Sequence, residues 1–455
     1  MRPAELKIAY IGGGSRQWAR MFMADLALSP RLCGELALYD SEHAAAARNE
    51  QLGAALFARP EATGCFRVRA VRRLADALRG ADVVVLSIEP GPMTMRYADL
   101  EIPARHGIVQ PVGDTTGPGG LMRALRAVPV YAGFGRAIAA HCPRAWVINY
   151  TNPMTLCTAA LHAGFPAIRA FGCCHEVFLT QSRLAGLVAE WFGVPPPARG
   201  EIKLDVAGVN HFTWATAATW RGRDLFPHLR RHVAKPGRFR AATALARRHR
   251  RQERWFDSPG LIALDLFRRH GALGAAGDRH LAEFLPEYCA DEATLHRWGV
   301  VLTPYAWRRR HRRRHAAAAP AVAAQPLRPS GEEGVRQIEA LHGFAPLVTN
   351  VNLPNHGQVD GLPAGAVVET MARFDGKGIR PMRAGTLPAT AAALVRRTAD
   401  VQALTLTAAL RRDRDAAFAA LLADPLMHLP VDRVWRMFRA MLRHCRPELP
   451  GWRIP

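Results

Sequence analysis

Polar and metal-binding side chains stand at the ends of two apolar, strand-like runs of the sequence. Asn149 and Asn152 lie at the end of the first run, and Cys174, His175 and Glu176 follow the second. Buried parallel strands are apolar along their whole length, and open α/β sheets bind their ligands at the carboxyl ends of such strands. We therefore expect these side chains to meet at one edge of a sheet.

A third strand-like run, at residues 202–209, ends at Asn210 and His211. The thiolate of Cys174 and the imidazole of His211, brought together from separate strands, would suit a borderline transition metal. A single buried cysteine or histidine is nonetheless more often part of a core than a ligand. The residues by themselves leave both interpretations open.

The N-terminal part of the chain has the pattern of a β-turn-α-β unit that binds a dinucleotide. An apolar strand over residues 6–11 runs into three glycines, and a helical pattern follows over residues 18–28. A second strand over residues 35–39 ends at an acid. Glycines at such a turn let the backbone approach a pyrophosphate, and the acid can accept a hydrogen bond from the ribose. The residues expected to contact the dinucleotide are Gly12, Gly13, Gly14, Ser15 and Asp40.

Two details qualify this dinucleotide pattern. Gln17 stands where the third glycine of the usual fingerprint would be. Asp40 is followed by Ser41, and there is no arginine at this point that could bind the 2′-phosphate of NADP. This favours NAD over NADP.

Strand-like and helical patterns alternate as far as about residue 190 and predict a doubly wound, Rossmann-like parallel sheet. Further strands are expected at residues 81–88 and 146–149, and a helix at 121–141. The glycine- and hydroxyl-rich segment 112–120 is expected to be a flexible loop, either a connector or a lid over the substrate. Pro195, Pro196 and Pro197 suggest a boundary between a domain of residues 1–195 and an α+β domain of residues 196–455.

The segment 277–288 places Asp278, Arg279, His280 and Glu283 close together. Charged groups at this spacing can pair on the surface of a helix, or they can belong to a site. Residues 348–359 resemble a second rim of an active site, because a strand-like run there ends in Asn-Leu-Pro. The tail over residues 405–438 is expected to be helical.

The chain has 455 residues, 49% of them hydrophobic, and a formal net charge of +23. No apolar run is long enough for a membrane span, and the N-terminus lacks a secretory signal. Eight scattered cysteines favour reduced thiols and a cytoplasmic location. Six arginines stand in the run 307–315, for which a solvated helix end followed by a linker is the favoured interpretation. A polyanion-binding patch is the alternative, although no nucleic-acid module accompanies the run.

Several short motifs follow one another along the sequence: YIGGGS, GDTTGPGG, RALRAVP, NYTNPM, GCCHEV, GVNHFTW, DRHLAEF, NLPNHGQV and ALLADPL. In this order and spacing they resemble glycoside hydrolase family 4, the NAD- and metal-dependent glycosidases. The likeness covers nearly the whole chain, and within the family it is fullest to bacterial α-galacturonidases. It implies a Rossmann-like domain followed by an α+β domain, as in lactate and malate dehydrogenases, and a homodimer or homotetramer.

The resemblance also implies roles for individual residues. Cys174 and His211 match the positions that hold the family's metal, normally Mn²⁺, and Asn152 matches a residue that contacts substrate hydroxyls. Asp278 matches the base of α-acting relatives. His175 is the candidate for the proton donor to the leaving group, at a position where phosphoglycoside-cleaving relatives have an aspartate. Glu176 is the alternative donor.

The reaction implied by the resemblance differs from that of most glycosidases, in which a pair of carboxylates does the chemistry. The sugar is oxidised at C3 by NAD⁺, which makes the C2 proton acidic enough for a carboxylate to remove. Elimination then expels the C1 group, water adds, and NADH returns the hydride. A uronic acid adds a carboxylate that would suit an arginine. Arg123, Arg126 and Arg279 are the candidates in motif-bearing stretches.

These implications predict an α-galacturonidase that acts on a small uronide, with nucleic acid and membrane unlikely as partners. An α-galactosidase or α-glucuronidase of the same family is the nearest alternative. A simple NAD-dependent hydroxy-acid dehydrogenase would share the Rossmann-like half, but would release NADH and need no metal. A basic binding protein would instead show polyanion binding that weakens steeply with salt.

Overall fold

The computed structural model describes residues 2–239, 242–317 and 326–454. A nine-stranded sheet forms its centre, with the strand order β3-β2-β1-β4-β5-β6-β11-β12-β13. The first six strands are parallel, and the last three join antiparallel to β6 and to one another. The strands are β1 Ala4–Ile11, β2 Leu32–Tyr39, β3 Cys65–Val71, β4 Val83–Leu86, β5 Trp146–Asn149, β6 Arg169–Gly172, β11 Leu347–Pro354, β12 Val367–Asp375 and β13 Gly378–Pro381.

A smaller second sheet has the order β10-β8-β7, with β9 paired to β8. All of its strand pairs are antiparallel. It lies within residues 202–274 and carries Asn210 and His211 between its two longest strands. Its strands are β7 Ile202–Val209, β8 Phe212–Trp220, β9 Arg223–Asp224 and β10 Leu273–Gly274.

Helices cover both faces of the large sheet. Those of the first half are α1 Trp18–Ala27, α2 His43–Phe57, α3 Leu74–Leu78, α4 Met93–Arg105, α5 Gly117–His141, α6 Met154–Gly164 and α7 Glu176–Phe192. The next group is α8 Phe226–Ala234, α9 Ala242–Arg251, α10 Leu261–His270, α11 Asp278–Leu281, α12 Pro286–Cys289, α13 Glu292–Arg297 and α14 Tyr305–Ala317. The last group is α15 Gly334–Leu341, α16 Ala389–Arg411, α17 Arg414–Ala423 and α18 Val431–Cys445.

Alternate residues of β1 explain why the sheet needs helices on both faces. Ile8 and Tyr10 are buried in one hydrophobic cluster, and Ala9 and Ile11 are buried in the other. Successive side chains of a strand point to opposite faces, so an apolar strand must be covered twice. The predicted doubly wound α/β fold is therefore confirmed, and β5 and β7 have the bounds that the sequence predicts.

The second half of the chain contributes to the first half's sheet. Strands β11, β12 and β13 lie beyond the boundary expected near residue 195, yet they extend the sheet that β1–β6 begin. The division into residues 1–195 and 196–455 stays a prediction, although the large sheet crosses it.

The segment 112–120, which we expected to be a flexible loop, is different in the structure. Every residue from 111 to 120 is buried, and α5 begins at Gly117. The carboxylate of Glu283 accepts hydrogen bonds from the backbone N–H groups of Val112 over 2.5 Å and Gly113 over 2.9 Å. The prediction of flexibility is wrong, because a carboxylate distant in sequence satisfies the backbone of this segment.

The arginine-rich run 307–315 lies in α14. The alanine- and proline-rich segment after it, which we expect to be a linker, falls largely on residues 318–325, outside the described residues. Across the described ranges, none of the helices has both the length and the apolar character needed to cross a membrane.

Candidate active site

The glycine turn after β1 is packed too closely for any side chain. Gly12 has a φ of +93°, and a Cβ there would lie 2.0 Å from the backbone oxygen of Ser87. A Cβ on Gly14 would lie 2.8 Å from Oδ2 of Asp40. Asp40 in turn accepts the backbone N–H of Gly14 over 2.9 Å. The predicted dinucleotide residues therefore meet at the carboxyl edge of β1, β2 and β4.

Asn49 of α2 braces the same turn from behind. Its side-chain nitrogen donates to the backbone oxygens of Gly13 over 2.7 Å and Ser15 over 2.8 Å. Its side-chain oxygen accepts from Arg20 over 3.1 Å. A bare backbone turn held in front of helix α1 is what a pyrophosphate requires, so the residues fit a dinucleotide.

Three side chains converge at the same sheet edge to form a possible metal centre. Asp114, His211 and His280 each offer one ligand atom, and these atoms all lie within 4.8 Å of one another. The rings of His211 and His280 stack with their centroids 3.9 Å apart. A carboxylate with two imidazoles is a donor set that suits Mn²⁺ and neighbouring transition metals.

Thr115 fixes which nitrogen of His211 is available. Its hydroxyl donates to Oδ1 of Asp114 over 2.8 Å and lies 2.9 Å from Nδ1 of His211. Because the single hydroxyl hydrogen goes to Asp114, the oxygen can accept the N–H on Nδ1, which leaves the lone pair of Nε2 free for a metal. Burial and the charge of His280 lower the pKa of His211 to about 3, so the ring is neutral, as a ligand must be.

The charge on Asp114 is supported by its neighbours. Burial alone would raise the pKa of its carboxyl group, but the charges of His280, Arg96 and Arg123 hold the pKa below its usual range. Asn152 donates from Nδ2 to Oδ2 of Asp114 over 3.1 Å. The carboxylate is thus ionised and oriented toward the two histidines.

Cys174 lies beside this centre, at the end of β6. It is buried, and its thiol adjoins the side chain of Asn210, the residue before His211. Within the described part of the chain, the group that meets the distance test above does not include Cys174. Burial, with the charges of Glu369 and Glu176, raises the pKa of the Cys174 thiol. Its predicted role as a metal ligand stays a prediction.

His175 and Glu176, the candidates for the proton donor, face the same space. Nδ1 of His175 lies 3.1 Å from Oε1 of Glu332, and its ring stacks on Trp18. Oε1 of Glu176 lies 3.7 Å from Nε2 of His280 and 3.8 Å from Nε2 of His175. Glu176 therefore adjoins the possible metal centre directly, and His175 lies next to Glu176.

Asn152 is oriented from two sides. Besides its bond to Asp114, its backbone oxygen accepts from Nε of Arg123 over 2.7 Å. Its side-chain oxygen is buried without a hydrogen-bond partner among the described residues. A substrate hydroxyl could supply that partner, which agrees with the role that the resemblance implies.

The contacts of Asp278 differ from those that we expected of a base. Its carboxylate accepts the backbone N–H groups of Leu261, Ile262 and Ala263 over 2.8 to 3.1 Å, at the start of α10. Burial raises the pKa of this carboxyl, although the backbone donors oppose the shift. These contacts are those of a cap at the start of α10. The assignment of Asp278 as a base stays a prediction.

The arginines proposed for the substrate also have other partners. Arg279 donates to the backbone oxygens of Trp255 and Val301, each over 2.6 Å, and to that of Pro111. Arg123 forms a buried ion pair with Glu89. These contacts favour structural roles over the substrate-binding roles expected for both arginines.

Sequence reasoning missed two members of the possible metal centre. Asp114 stands in the loop word GDTTGPGG, which glycine content made us interpret as flexible. His280 stands in the DRH word, where attention went to its neighbour Asp278. Both residues lie in motifs that carry the family resemblance, but nothing in the local sequence marks either of them as a metal ligand.

Glu369 of β12 is a further residue that sequence reasoning missed. It accepts hydrogen bonds from Thr213 over 2.5 Å, Asn350 over 2.8 Å, Asn352 over 3.2 Å and Asn210 over 3.3 Å. It therefore ties the large sheet to the turn that carries His211.

Known proteins match this chain over nearly its whole length. The alpha-galacturonidase of Thermoanaerobacterium saccharolyticum is 43% identical over 456 residues, covering 99% of this chain and 98% of that protein. The crystal structure of a candidate glucosidase from Bacillus subtilis superposes with a TM-score of 0.87 at 42% identity, covering 96% of this chain and 100% of that one. The 6-phospho-beta glucosidase from Thermotoga maritima, solved with manganese, NAD⁺ and glucose-6-phosphate, shares the fold, with a TM-score of 0.76 at 20% identity over 97% and 98%.

Two family profiles divide the chain between them. "Family 4 glycosyl hydrolase" matches residues 7–190, and "Family 4 glycosyl hydrolase C-terminal domain" matches residues 206–427. Both the nucleotide turn and the cluster around His211 lie within the matched ranges. The chain therefore belongs to family 4 of the glycosyl hydrolases.

Proposed function

We propose that this protein is an α-galacturonidase that requires NAD⁺ and a divalent metal, Mn²⁺ being the first candidate. The observation that carries the proposal is the 43% identity to an alpha-galacturonidase across 99% of the chain. The juxtaposition of a bare nucleotide turn with the carboxylate and imidazoles of Asp114, His211 and His280 supports it further.

The residues at the glycine turn would hold the dinucleotide. The backbone of Gly12, Gly13 and Gly14 would face the pyrophosphate, and Asp40 would accept from the ribose. Bound NAD⁺ supplies a reversible acceptor for the hydride of a sugar carbinol. The side chains of Asn49 and Asp40 keep the turn in its binding conformation, because both bond to its backbone.

Asp114, His211 and His280 would hold the metal, with Cys174 beside them. Bound Mn²⁺ supplies a Lewis acid that stabilises negative charge on neighbouring sugar oxygens. Thr115 keeps His211 in the tautomer that leaves Nε2 free. The side-chain oxygen of Asn152 would accept a substrate hydroxyl and so orient the ring against this centre.

Proton transfer would fall to the side chains that line the same space. Oε1 of Glu176 lies 3.8 Å from Nε2 of His175 and 3.7 Å from Nε2 of His280, so a proton could be held on Glu176 or passed between it and His175 at the leaving-group side. Asp278 is the base that the resemblance implies. Its carboxylate would have to take up a proton while it also accepts backbone N–H groups at the start of α10.

The proposal predicts cleavage of p-nitrophenyl α-D-galacturonide only when NAD⁺ and Mn²⁺ are both added to stripped protein. NADH should not accumulate, because the hydride returns to the sugar in each turnover. The same assay would be run with the matching α-D-glucuronide and α-D-galactoside. His211→Ala should be inactive, and Asp360→Asn, which changes an exposed ion pair with Arg383, should behave as wild type.

Other outcomes would favour the alternatives. Preferential cleavage of the galactoside or the glucuronide would reassign the sugar within the family. Stoichiometric NADH release from a small hydroxy acid, without metal, would indicate a simple dehydrogenase. Equal cleavage after nucleotide and metal have been removed would overturn the proposal.

A further inference from the structure

The carboxylate of a uronide needs a cationic partner, and the three arginines suggested by the sequence are already paired. Arg279 bonds to backbone oxygens, and Arg123 pairs with Glu89. Arg126 is buried against Asp99, with Nη2 and Oδ2 2.5 Å apart. A carboxylate-binding site must therefore be sought among other cations near Asp114.

Arg96 of α4 is the first such cation. Its Nη1 lies 3.3 Å from Oε2 of Glu89, and its Nη2 lies 4.0 Å from Oδ2 of Asp114. Its side chain is 22% exposed, in contrast to 5% for Arg123. Arg96 therefore stands at the margin of the possible metal centre, with looser ion pairs than its buried neighbour.

Arg308 of α14 is the second cation near this centre. The ring of Tyr305 packs edge-on against that of Tyr97, with centroids 3.8 Å apart, which joins α14 to α4 beside Arg96. Arg308 lies three residues after Tyr305 and so on the same side of the helix. It is half-buried, and its guanidinium lies 5.7 Å from the ring centroid of the exposed Phe256.

The charges around Arg308 do not balance. The groups that act on it electrostatically include Arg96, Glu89 and Asp114, and Arg123 already neutralises Glu89. Within the described residues, its side chain forms no ion pair, and its buried Nε has no hydrogen-bond partner. Burial and the charge of Arg96 lower the pKa of Arg308 to about 10. A partly desolvated cation beside another cation is costly unless an anion joins them.

We propose that Arg308, with Arg96 beside it, binds the carboxylate of the uronide substrate. On the pyranose ring, C5 stands opposite C2 and two bonds from C3. With C2 and C3 at the possible metal centre, we place the C5 carboxylate at the margin of that centre, where Arg96 stands. A planar guanidinium suits a carboxylate, and the neutral hydroxymethyl group of a galactoside would leave the positive charge unmatched. This inference rests on the proposed function, because it assumes a uronide.

The test compares Arg308→Gln with wild type on p-nitrophenyl α-D-galacturonide and α-D-galactoside, which differ only at C6. Loss of one charged hydrogen-bonding partner should lower kcat/KM for the galacturonide about 10- to 100-fold, while the galactoside value stays near that of wild type. Arg308→Lys should retain part of the preference. Arg310→Gln, on the same helix but in an exposed pair with Glu253, is the matched control and should change neither substrate.

A second measurement separates this inference from the proposed function. Titration with free D-galacturonate and D-galactose, in the presence of NAD⁺ and Mn²⁺, reports binding without turnover. Wild type should prefer the acid, and Arg308→Gln should lose that preference. If wild type cleaves no galacturonide, the proposed function fails, and this titration alone decides the role of Arg308. Equal losses on both sugars, or no loss on either, would overturn the carboxylate site.

Discussion

Nδ2 of Asn152 donates to Oδ2 of Asp114 over 3.1 Å, which joins the segment between β5 and α6 to the segment before α5. The resemblance implies a substrate role for Asn152, whereas Asp114 emerged only from the structure. Arg123 holds the backbone oxygen of Asn152, and the bond to Asp114 holds its side-chain amide. The groups that would meet substrate and metal are therefore coupled by one hydrogen bond.

Asp114→Asn should weaken Mn²⁺ binding by at least about 10- to 100-fold, since even the loss of an outer-shell partner has an effect of that size. The amide keeps the shape of the side chain but removes its charge. Electron paramagnetic resonance during a Mn²⁺ titration without sugar would measure the affinity. Asp400→Asn, an exposed change on α16, serves as the comparison. An unchanged Mn²⁺ affinity would remove Asp114 from the metal centre.

Asp278→Asn distinguishes a helix cap from a catalytic base. If the carboxylate only caps α10, we expect an unfolding free energy lower by about 1–2 kcal/mol and a modest change in kcat. Loss of a general base would instead lower kcat by about 10²- to 10⁴-fold with little change in stability. Chemical denaturation and steady-state kinetics on the same samples would measure both quantities, and the second pattern would support the role that the resemblance implies.

The local part of the fold could be predicted from the sequence. The glycines after β1 and the acid after β2 are close in sequence, so their pattern indicates the turn directly. The strands β5 and β7 also have apolar, β-branched runs with clear ends. Such features depend on neighbours along the chain, which is where single-sequence patterns are informative.

The long-range part could not be predicted in this way. Glu283 fixes the backbone of Gly113 from 170 positions away, and no local pattern indicates that a glycine-rich loop will be buried. Likewise β11 pairs with β6 through Asn352 and Gly172, far apart in the sequence. The role of Asp114 depends on that same burial, which explains why the residue was missed.

Gly12→Ala should impair NAD⁺ binding because the turn has no room for a methyl group. The new Cβ would lie 2.0 Å from the oxygen of Ser87, at a φ that disfavours alanine. We expect NAD⁺ affinity to fall at least about tenfold, measured by calorimetric titration, together with a loss of stability. Gly186→Ala is the matched change, since a Cβ there meets open space on α7, and it should stabilise the protein by about 0.5–1 kcal/mol. Wild-type NAD⁺ affinity in Gly12→Ala would show that the turn does not hold the nucleotide.

Glu369→Gln should loosen the turn that presents His211. The carboxylate accepts hydrogen bonds from Thr213, Asn210 and two other side chains. The amide of glutamine would replace one of the accepting oxygens with an NH₂ group, which is itself a donor and would face those donors. We expect a loss of about 1–3 kcal/mol in unfolding free energy and Mn²⁺ affinity lower by about 10- to 100-fold, with NAD⁺ affinity retained. Glu287→Gln, an exposed change on α12, should alter none of these values. Reduced stability with normal Mn²⁺ affinity would mean that Glu369 supports the sheet without positioning His211.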